Sequence, residues 1–176
     1  TSANWDTAQT VTVTGVDDDI IDGTITSTIT ASIVDAISDT NFGSVSDETV
    51  SVTTSDDDVA GITIAVTDGS TGVAESGTTD TFTLVLDAQP SSDVVITLTS
   101  SDNGEITVTS TLTFTSANWD TAQTATVTGV DDNLVDGSQG STVTISIDDS
   151  NSDNDFDAVA DQTVSVTTTD DDVAGF

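Results

Sequence analysis

Apolar and polar residues alternate along most of the chain, which is the pattern of strands rather than helices. Ile62, Ile64 and Val66 are separated by Thr63 and Ala65. Thr at the outer positions suits the solvated face of a half-buried antiparallel strand. No segment has a comparable apolar stripe at helical spacing. The same alternation recurs at 82–86, 94–98, 112–114, 143–147 and 164–166.

Turn-rich stretches such as 67–70 and 87–92 separate these runs. About seven short strands per repeat, divided by such turns, predict an all-β fold: an immunoglobulin-like antiparallel β-sandwich. Low hydrophobicity with a large net charge is also typical of disorder, although regular alternation argues against a fully disordered chain. A domain that is loose without metal and orders on binding it is the weaker form of that alternative.

The chain repeats itself. Residues 1–10 recur letter for letter at 115–124, and the match then continues without a gap, with about two positions in three identical. A period of 114 residues suits one folded domain per repeat in a tandem array. We therefore predict that 1–58 is the C-terminal half of a preceding repeat, 59–172 a complete repeat, and 173–176 the start of the next.

The repeat leaves the pairing of 59–114 open. Its strands are expected to pair with 115–172, but pairing with 1–58 or exchange between chains would satisfy the same pattern. Three strands with open edges are not stable alone. If 1–58 is ordered, we expect a neighbouring chain to complete its sheets, so the predicted partners are neighbouring repeats of the same protein.

The charge balance restricts function. The chain has 32 acidic residues and no Lys, Arg or His, so its side chains form no salt bridges. Carboxylates in runs such as 56–58 and 170–172 repel one another, and external positive charge is needed to offset this. Nucleic-acid and anionic-membrane partners require Lys or Arg and are excluded. No apolar run is long enough for membrane insertion.

The missing residue types also argue against catalysis. Without Cys, His or Lys the chain has no disulfide, no thiolate site and none of the usual general bases. Paired carboxylates could cleave glycosides, but these acids stand in runs at strand ends, which metal binding explains more simply. We predict that the protein is not an enzyme.

Acidic clusters follow strands that could end at one pole of the sandwich. Oxygen ligands alone select a hard cation, and Ca²⁺ accepts six to eight of them in irregular geometry, whereas Mg²⁺ demands a strict octahedron. For isolated acids such as Asp68, solvation of a turn is the better explanation. The clusters of the complete repeat are Glu75, then Asp131 and Asp132 with Asp136, then Asp170, Asp171 and Asp172.

Two motifs resemble the Calx-beta domain. Val130-Asp131-Asp132-Asn133-Leu134-Val135-Asp136-Gly137 is followed at a suitable distance by Asp170-Asp171-Asp172-Val173-Ala174-Gly175. Val73-Ala74-Glu75-Ser76-Gly77 is similar to the family's early acidic segment. The family's Gly-Thr-Ala segment with its downstream Asp is missing, and 101–105, including Asp102, stands in its place.

The resemblance implies a calcium site. Its expected ligands are the seven acids of these clusters, with the carbonyl near Leu134 as a further candidate. The incomplete repeat is expected to hold the matching half-site, without a counterpart of Glu75, at Asp17, Asp18, Asp22, Asp56, Asp57 and Asp58.

Two functions fit these expectations. The first is a structural extender or filament module of an extracellular or cell-surface protein, in which calcium stiffens domains and junctions. The second is a calcium-dependent adhesive or carbohydrate-binding domain. Trp5 and Trp119 each precede a strand, and we expect each to cap an edge of the core rather than to stack on a glycan.

Overall fold

The computed structural model describes residues 1 and 3–175, which form two compact units. Unit 1 comprises Thr1–Asp18 and Asp22–Asp56, and unit 2 comprises Asp19–Ile21 and the residues from Asp57 onward. Regular structure in both is β-strand, with short 3₁₀ turns between strands. The predicted all-β class is confirmed.

Unit 1 contains one antiparallel hairpin, formed by β1 (Ile25–Ala31) and β2 (Glu48–Thr54). A 3₁₀ turn at Thr40–Phe42 lies in the connection, where the Asp39 carboxylate accepts a hydrogen bond from Asn41 N at 2.9 Å. Most of its apolar side chains are exposed.

Unit 2 is a sandwich of two sheets. The first has the order β4-β11-β10-β6-β8 and the second β3-β5-β9-β7. Its strands are β3 (Ile62–Val66), β4 (Thr71–Ala74), β5 (Thr79–Leu86), β6 (Val94–Ser100), β7 (Ile106–Val108), β8 (Thr111–Phe114), β9 (Gln123–Gly129), β10 (Gln139–Ile147) and β11 (Gln162–Thr169).

Strands from 59–114 and from 115–172 interleave in both sheets. β9 lies between β5 and β7, and β10 lies between β6 and β11. The core therefore forms between strands of the two consecutive segments 59–114 and 115–172. Its fully buried side chains include Phe82, Phe114 and Phe156, and burying each such side chain contributes about 1.5–3 kcal/mol.

The described part of unit 2 has nine strands rather than about seven, because two segments change sheets. A turn at Thr67–Gly69 divides β3 from β4, with φ of 53° at Asp68 and 78° at Gly69. Thr109 and Ser110 divide β7 from β8. Once β4 has crossed, it runs beside the last strand, so β4 and β11 pair in parallel, while the pairings between the other numbered strands of unit 2 are antiparallel.

Gly129 allows β4 to lie close to β9. A Cβ atom at this position would overlap the carbonyl oxygen and carbon of Ala74. Only a residue without a side chain can stand there. This contact fixes the C-terminal end of β4, and with it the position of the next residue, Glu75.

Candidate metal centre

Three carboxylates from three strand ends meet at one pole of unit 2. Glu75 follows β4, Asp132 follows β9 and Asp172 follows β11, and one oxygen of each lies within 4.8 Å of the others. The Glu75 N–H donates to the Thr169 carbonyl at 3.1 Å, which continues the β4–β11 pairing up to the site. We call these three residues the acidic triad.

The triad contains buried carboxylate oxygens with no hydrogen-bond partner. Glu75 is 1% exposed, and neither its Oε2 atom nor Oδ2 of the half-buried Asp172 receives a hydrogen bond. An uncompensated buried charge is costly, so such a group either takes up a proton or binds a cation. Both are open to this site.

The pKa values show how poorly the triad tolerates its own charge. Burial, followed by the charges of Asp170 and Asp132, raises the pKa of Glu75 from 4.5 to about 7. Burial and then the charges of Asp170 and Asp171 raise the pKa of Asp172. A divalent cation would reverse these shifts, because it favours the ionised form of each ligand.

Asp170 fastens the adjacent loop. Its carboxylate accepts hydrogen bonds from Gly137 N and Asp172 N, each at 2.7 Å. These bonds, that from Gly137 first, lower the pKa of Asp170. The loop after β9 is thereby tied to the end of β11, which brings Asp132 towards Asp172.

The other predicted ligands lie around the triad rather than within it. Asp131, Asp136, Asp171 and the loop residue Leu134 are exposed, and Asp170 is half-buried. The charges of Asp170 and Asp136 nevertheless raise the pKa of Glu75. Those of Asp170, Asp171 and Asp131 raise the pKa of Asp172.

The first copy of the motif, in the described part of residues 1–58, has the same loop-fixing hydrogen bond as the second copy but no acidic triad. The Asp56 carboxylate accepts a hydrogen bond from Gly23 N at 2.6 Å, as Asp170 does from Gly137. Within residues 1 and 3–58, no three acids lie as close together as the triad. The matching half-site predicted from the sequence is made up of Asp17, Asp18, Asp22, Asp56, Asp57 and Asp58.

Glu105, immediately before β7, is a carboxylate that the sequence analysis did not select. Its Oε2 atom is buried without a hydrogen-bond partner, and burial, then the charges of Asp136 and Asp102, raise its pKa. Its carbonyl accepts from Val130 N at 2.9 Å, so it lies beside the end of β9. The sequence signal that could have identified Glu105 was its position directly before a strand. Asp102, the acid considered in this region, instead accepts a hydrogen bond from Gly104 N in an exposed turn.

Trp119 packs against the core of unit 2, and its carbonyl accepts a hydrogen bond from Leu86 N at 3.1 Å. It therefore caps an edge of the core as the sequence favoured. Trp5, its counterpart in unit 1, is 80% exposed. The two residues have the same local sequence and different surroundings.

No protein-family model and no curated protein matches this chain. Similar solved structures include the apo form of the Calx CBD1 domain, at 14% identity and a TM-score of 0.44 over 63% of this chain and 98% of that chain. Domains 4 and 5 of the S-layer protein SbsC match at 25% identity and a TM-score of 0.43, over 69% of this chain and 59% of theirs. The E. coli chaperone DraB matches at 5% and 0.44, over 65% of this chain and 59% of its own.

This chain thus spans less than two thirds of the DraB and SbsC chains that it matches. Over the described residues, no helix has the length and apolar character that a membrane crossing requires.

Proposed function

We propose that unit 2 is a calcium-binding structural module of an extracellular or cell-surface repeat protein. The ion would be held by Glu75, Asp132 and Asp172, and would join the ends of β4, β9 and β11. The observation that supports this most directly is the pair of buried, unpartnered oxygens, Glu75 Oε2 and Asp172 Oδ2, within a group that spans 4.8 Å.

The donor set fits calcium. Oxygens bound to one Ca²⁺ at 2.3–2.6 Å lie at most about 5 Å apart, which agrees with the spacing of the triad. All three ligands are carboxylates, which suit hard cations and not zinc or copper. The exposed Asp131, Asp136 and Asp171 belong to the same loops and would supply further coordinating oxygens.

A structural role follows from where the ligands come from. β4 and β11 pair in one sheet and β9 lies in the other, so one ion would cross-link the two sheets at this pole. The chain has no cationic side chain that could do this. Extracellular calcium modules bind Ca²⁺ with Kd values of roughly 10⁻⁴–10⁻³ M, so such a site would be occupied outside cells. The bound ions would then stiffen an array of modules.

The test is thermal unfolding of the whole chain at fixed ionic strength, with calcium, with magnesium and in calcium-free buffer. At a calcium concentration of about 100 times Kd we expect Tm to rise by roughly 10 °C, with a clearly smaller rise in magnesium. Glu75→Gln should raise Tm in calcium-free buffer, because it removes a buried repelled charge, and should lose most of the calcium response.

Asp120→Asn is the matched control, because it also removes one negative charge but from an exposed turn outside the triad. It should respond to calcium as the unmodified chain does. A calcium response that is absent, or that survives intact in Glu75→Gln, would rule out the triad as the site.

A further inference from the structure

Unit 1 exposes side chains whose counterparts, 114 residues later, form the core of unit 2. Val11 is 79% exposed and Phe42 56%, whereas Ala125 and Phe156 are 0% exposed. Val34 and Ile37 do not belong to this set, because their counterparts Asp148 and Asn151 are polar. The set, which we call the apolar face, consists of the four residues with buried counterparts: Val11, Val13, Phe42 and Val50.

A glycine points to the missing neighbour. Gly15 is the counterpart of Gly129, which must lack a side chain because the Ala74 backbone lies against it. A Cβ atom on Gly15 would meet only Thr54 Cγ2, at an ordinary 3.6 Å. In unit 2 the closeness of β4 requires glycine at position 129. Unit 1 has glycine at the matching position 15, but among its described residues no counterpart of β4 lies against it.

A cleft marks where that strand would lie. Residues 13–17 and 52–55 line an open space of about 430 Å³ in unit 1. Their counterparts in unit 2 flank β4: residues 166–169 pair with it in parallel, and Gly129 contacts Ala74. The cleft therefore has the walls of the β4 position and an empty centre.

The strand content of unit 1 agrees with this. β9 hydrogen-bonds to β5 on one side and β7 on the other. Residues 9–15, its counterpart, do not form a strand. A segment whose partners on both edges come from 59–114 has nothing to pair with in unit 1.

We propose that unit 1 binds an unpaired polypeptide segment of the 59–114 type, that is, the first half of a repeat of this same protein. Its β4-like strand would enter the cleft parallel to β2, and its β5-like strand would pair with residues 9–15. The segment 59–114 of the described structure already pairs with 115–172, so the occupant is a further segment of the same type.

The face also specifies one feature of its partner. In unit 2, Phe82 lies directly opposite Ala125, but the counterpart of Ala125 is the larger Val11. Cross-strand neighbours stand about 5 Å apart, so a larger residue on one strand favours a smaller one opposite. The preferred segment therefore has a smaller side chain than Phe at the position of Phe82.

The test adds the synthetic polypeptide 59–114 to the whole chain in calcium-free buffer, so that the result does not depend on the calcium proposal. Binding is measured by titration calorimetry, and Trp5 is followed by fluorescence in a Trp119→Phe background. We expect saturable one-to-one binding with a blue shift of Trp5 emission. The Phe82→Leu polypeptide should bind at least threefold more tightly.

Gly15→Ala is the decisive variant, since the added Cβ has room in unit 1 but would overlap the incoming strand. It should weaken binding at least tenfold, whereas the control Val34→Asp, which installs the residue of the second copy, should bind normally. Equal binding by Gly15→Ala would overturn the proposal. Absence of binding would overturn it too. So would sedimentation experiments in which the chain associates with itself through the apolar face of unit 1.

Discussion

Residues 1–58 and 115–172 are near-copies in sequence, and the comparison between them separates what is encoded locally from what depends on partners. Both contain a hairpin in the same register: Ile25 pairs with Thr54 as Gln139 pairs with Thr168, and the pairings run in step for seven residues. This hairpin therefore has the same register in both surroundings.

The preceding segment behaves differently. Residues 123–129 form β9, with a neighbour on each edge, while the nearly identical residues 9–15 form no strand. Val127 is 0% exposed and its counterpart Val13 is 50% exposed. Strand structure in this segment therefore depends on partners supplied by 59–114, and the three predictions below test how far that dependence goes.

The largest difference is expected for the matched pair Phe156→Ala and Phe42→Ala. Phe156 is completely buried, so its truncation should cost about 3–5 kcal/mol through lost transfer energy and a cavity. Phe42 is 56% exposed, and its truncation should change stability by no more than about 0.5 kcal/mol. Urea unfolding read by segment-resolved hydrogen exchange measures both, and similar losses would show that the first copy also has a core.

An intermediate difference is expected for Asp153→Ala and Asp39→Ala. Asp153 Oδ2 accepts hydrogen bonds from Ser91 N and Ser92 N at 2.7 and 2.8 Å, across the two halves of the repeat. Although burial alone would raise the pKa of Asp153, these bonds and that from the Ser91 hydroxyl lower it. Truncation leaves buried donors unpaired and should cost about 1–3 kcal/mol.

Asp39 serves as the comparison because its carboxylate bonds to Asn41 within an exposed turn. We expect Asp39→Ala to cost about 0.5 kcal/mol or less, measured in the same urea series. A large effect at Asp39 would mean that the first copy already holds a partner equivalent to 91–92.

The smallest expected difference is in pH dependence. In calcium-free buffer the fold favours protonated Glu75, so its contribution is full below about pH 4.5 and is lost as pH rises towards about 7. The raised pKa values of Glu105 and Asp172 act in the same direction. Tm should therefore be higher at pH 5 than at pH 8, and saturating calcium should reverse the order.

The first copy supplies the internal reference for this measurement, because it has no counterpart of Glu75 or Glu105. Hydrogen-exchange protection in β1 and β2 should change less between pH 5 and pH 8 than protection in β10 and β11. A Tm that rises with pH in calcium-free buffer would contradict the assignment of a protonated Glu75.

Alternation along the sequence was sufficient to predict most strands of unit 2 and the sandwich they form. Sheet changes at 67–70 and 109–110 were not predictable from it, because a strand that crosses from one sheet to the other keeps its alternation. For the same reason the parallel pairing of β4 with β11 was missed. In the first copy, residues 9–15 show that alternation without a partner does not make a strand.

The acidic positions were predictable as a group but not individually. Strand direction indicated that Glu75, the acids of 131–136 and those of 170–172 could converge, and oxygens of Glu75, Asp132 and Asp172 lie together. Which acids turn inward depends on contacts such as Gly129 against Ala74 and Gly137 N to Asp170, which are set by three-dimensional packing. Glu105 was missed because its neighbour in space, Val130, is distant in sequence.

The interleaving of halves has a consequence for folding. β5 and β6 pair with strands that follow them, β9 and β10, but near-copies of those partners precede them and leave the ribosome first. A chain synthesised from its N-terminus therefore meets the wrong partner before the right one, a common route to misassembly in repeat proteins. If residues 9–15 paired with β5, Val11 would stand opposite Phe82 in the place of the smaller Ala125, and overpacking of this kind costs about 1–3 kcal/mol. The difference between Val11 and Ala125 thus favours pairing of β5 with β9 over pairing with residues 9–15.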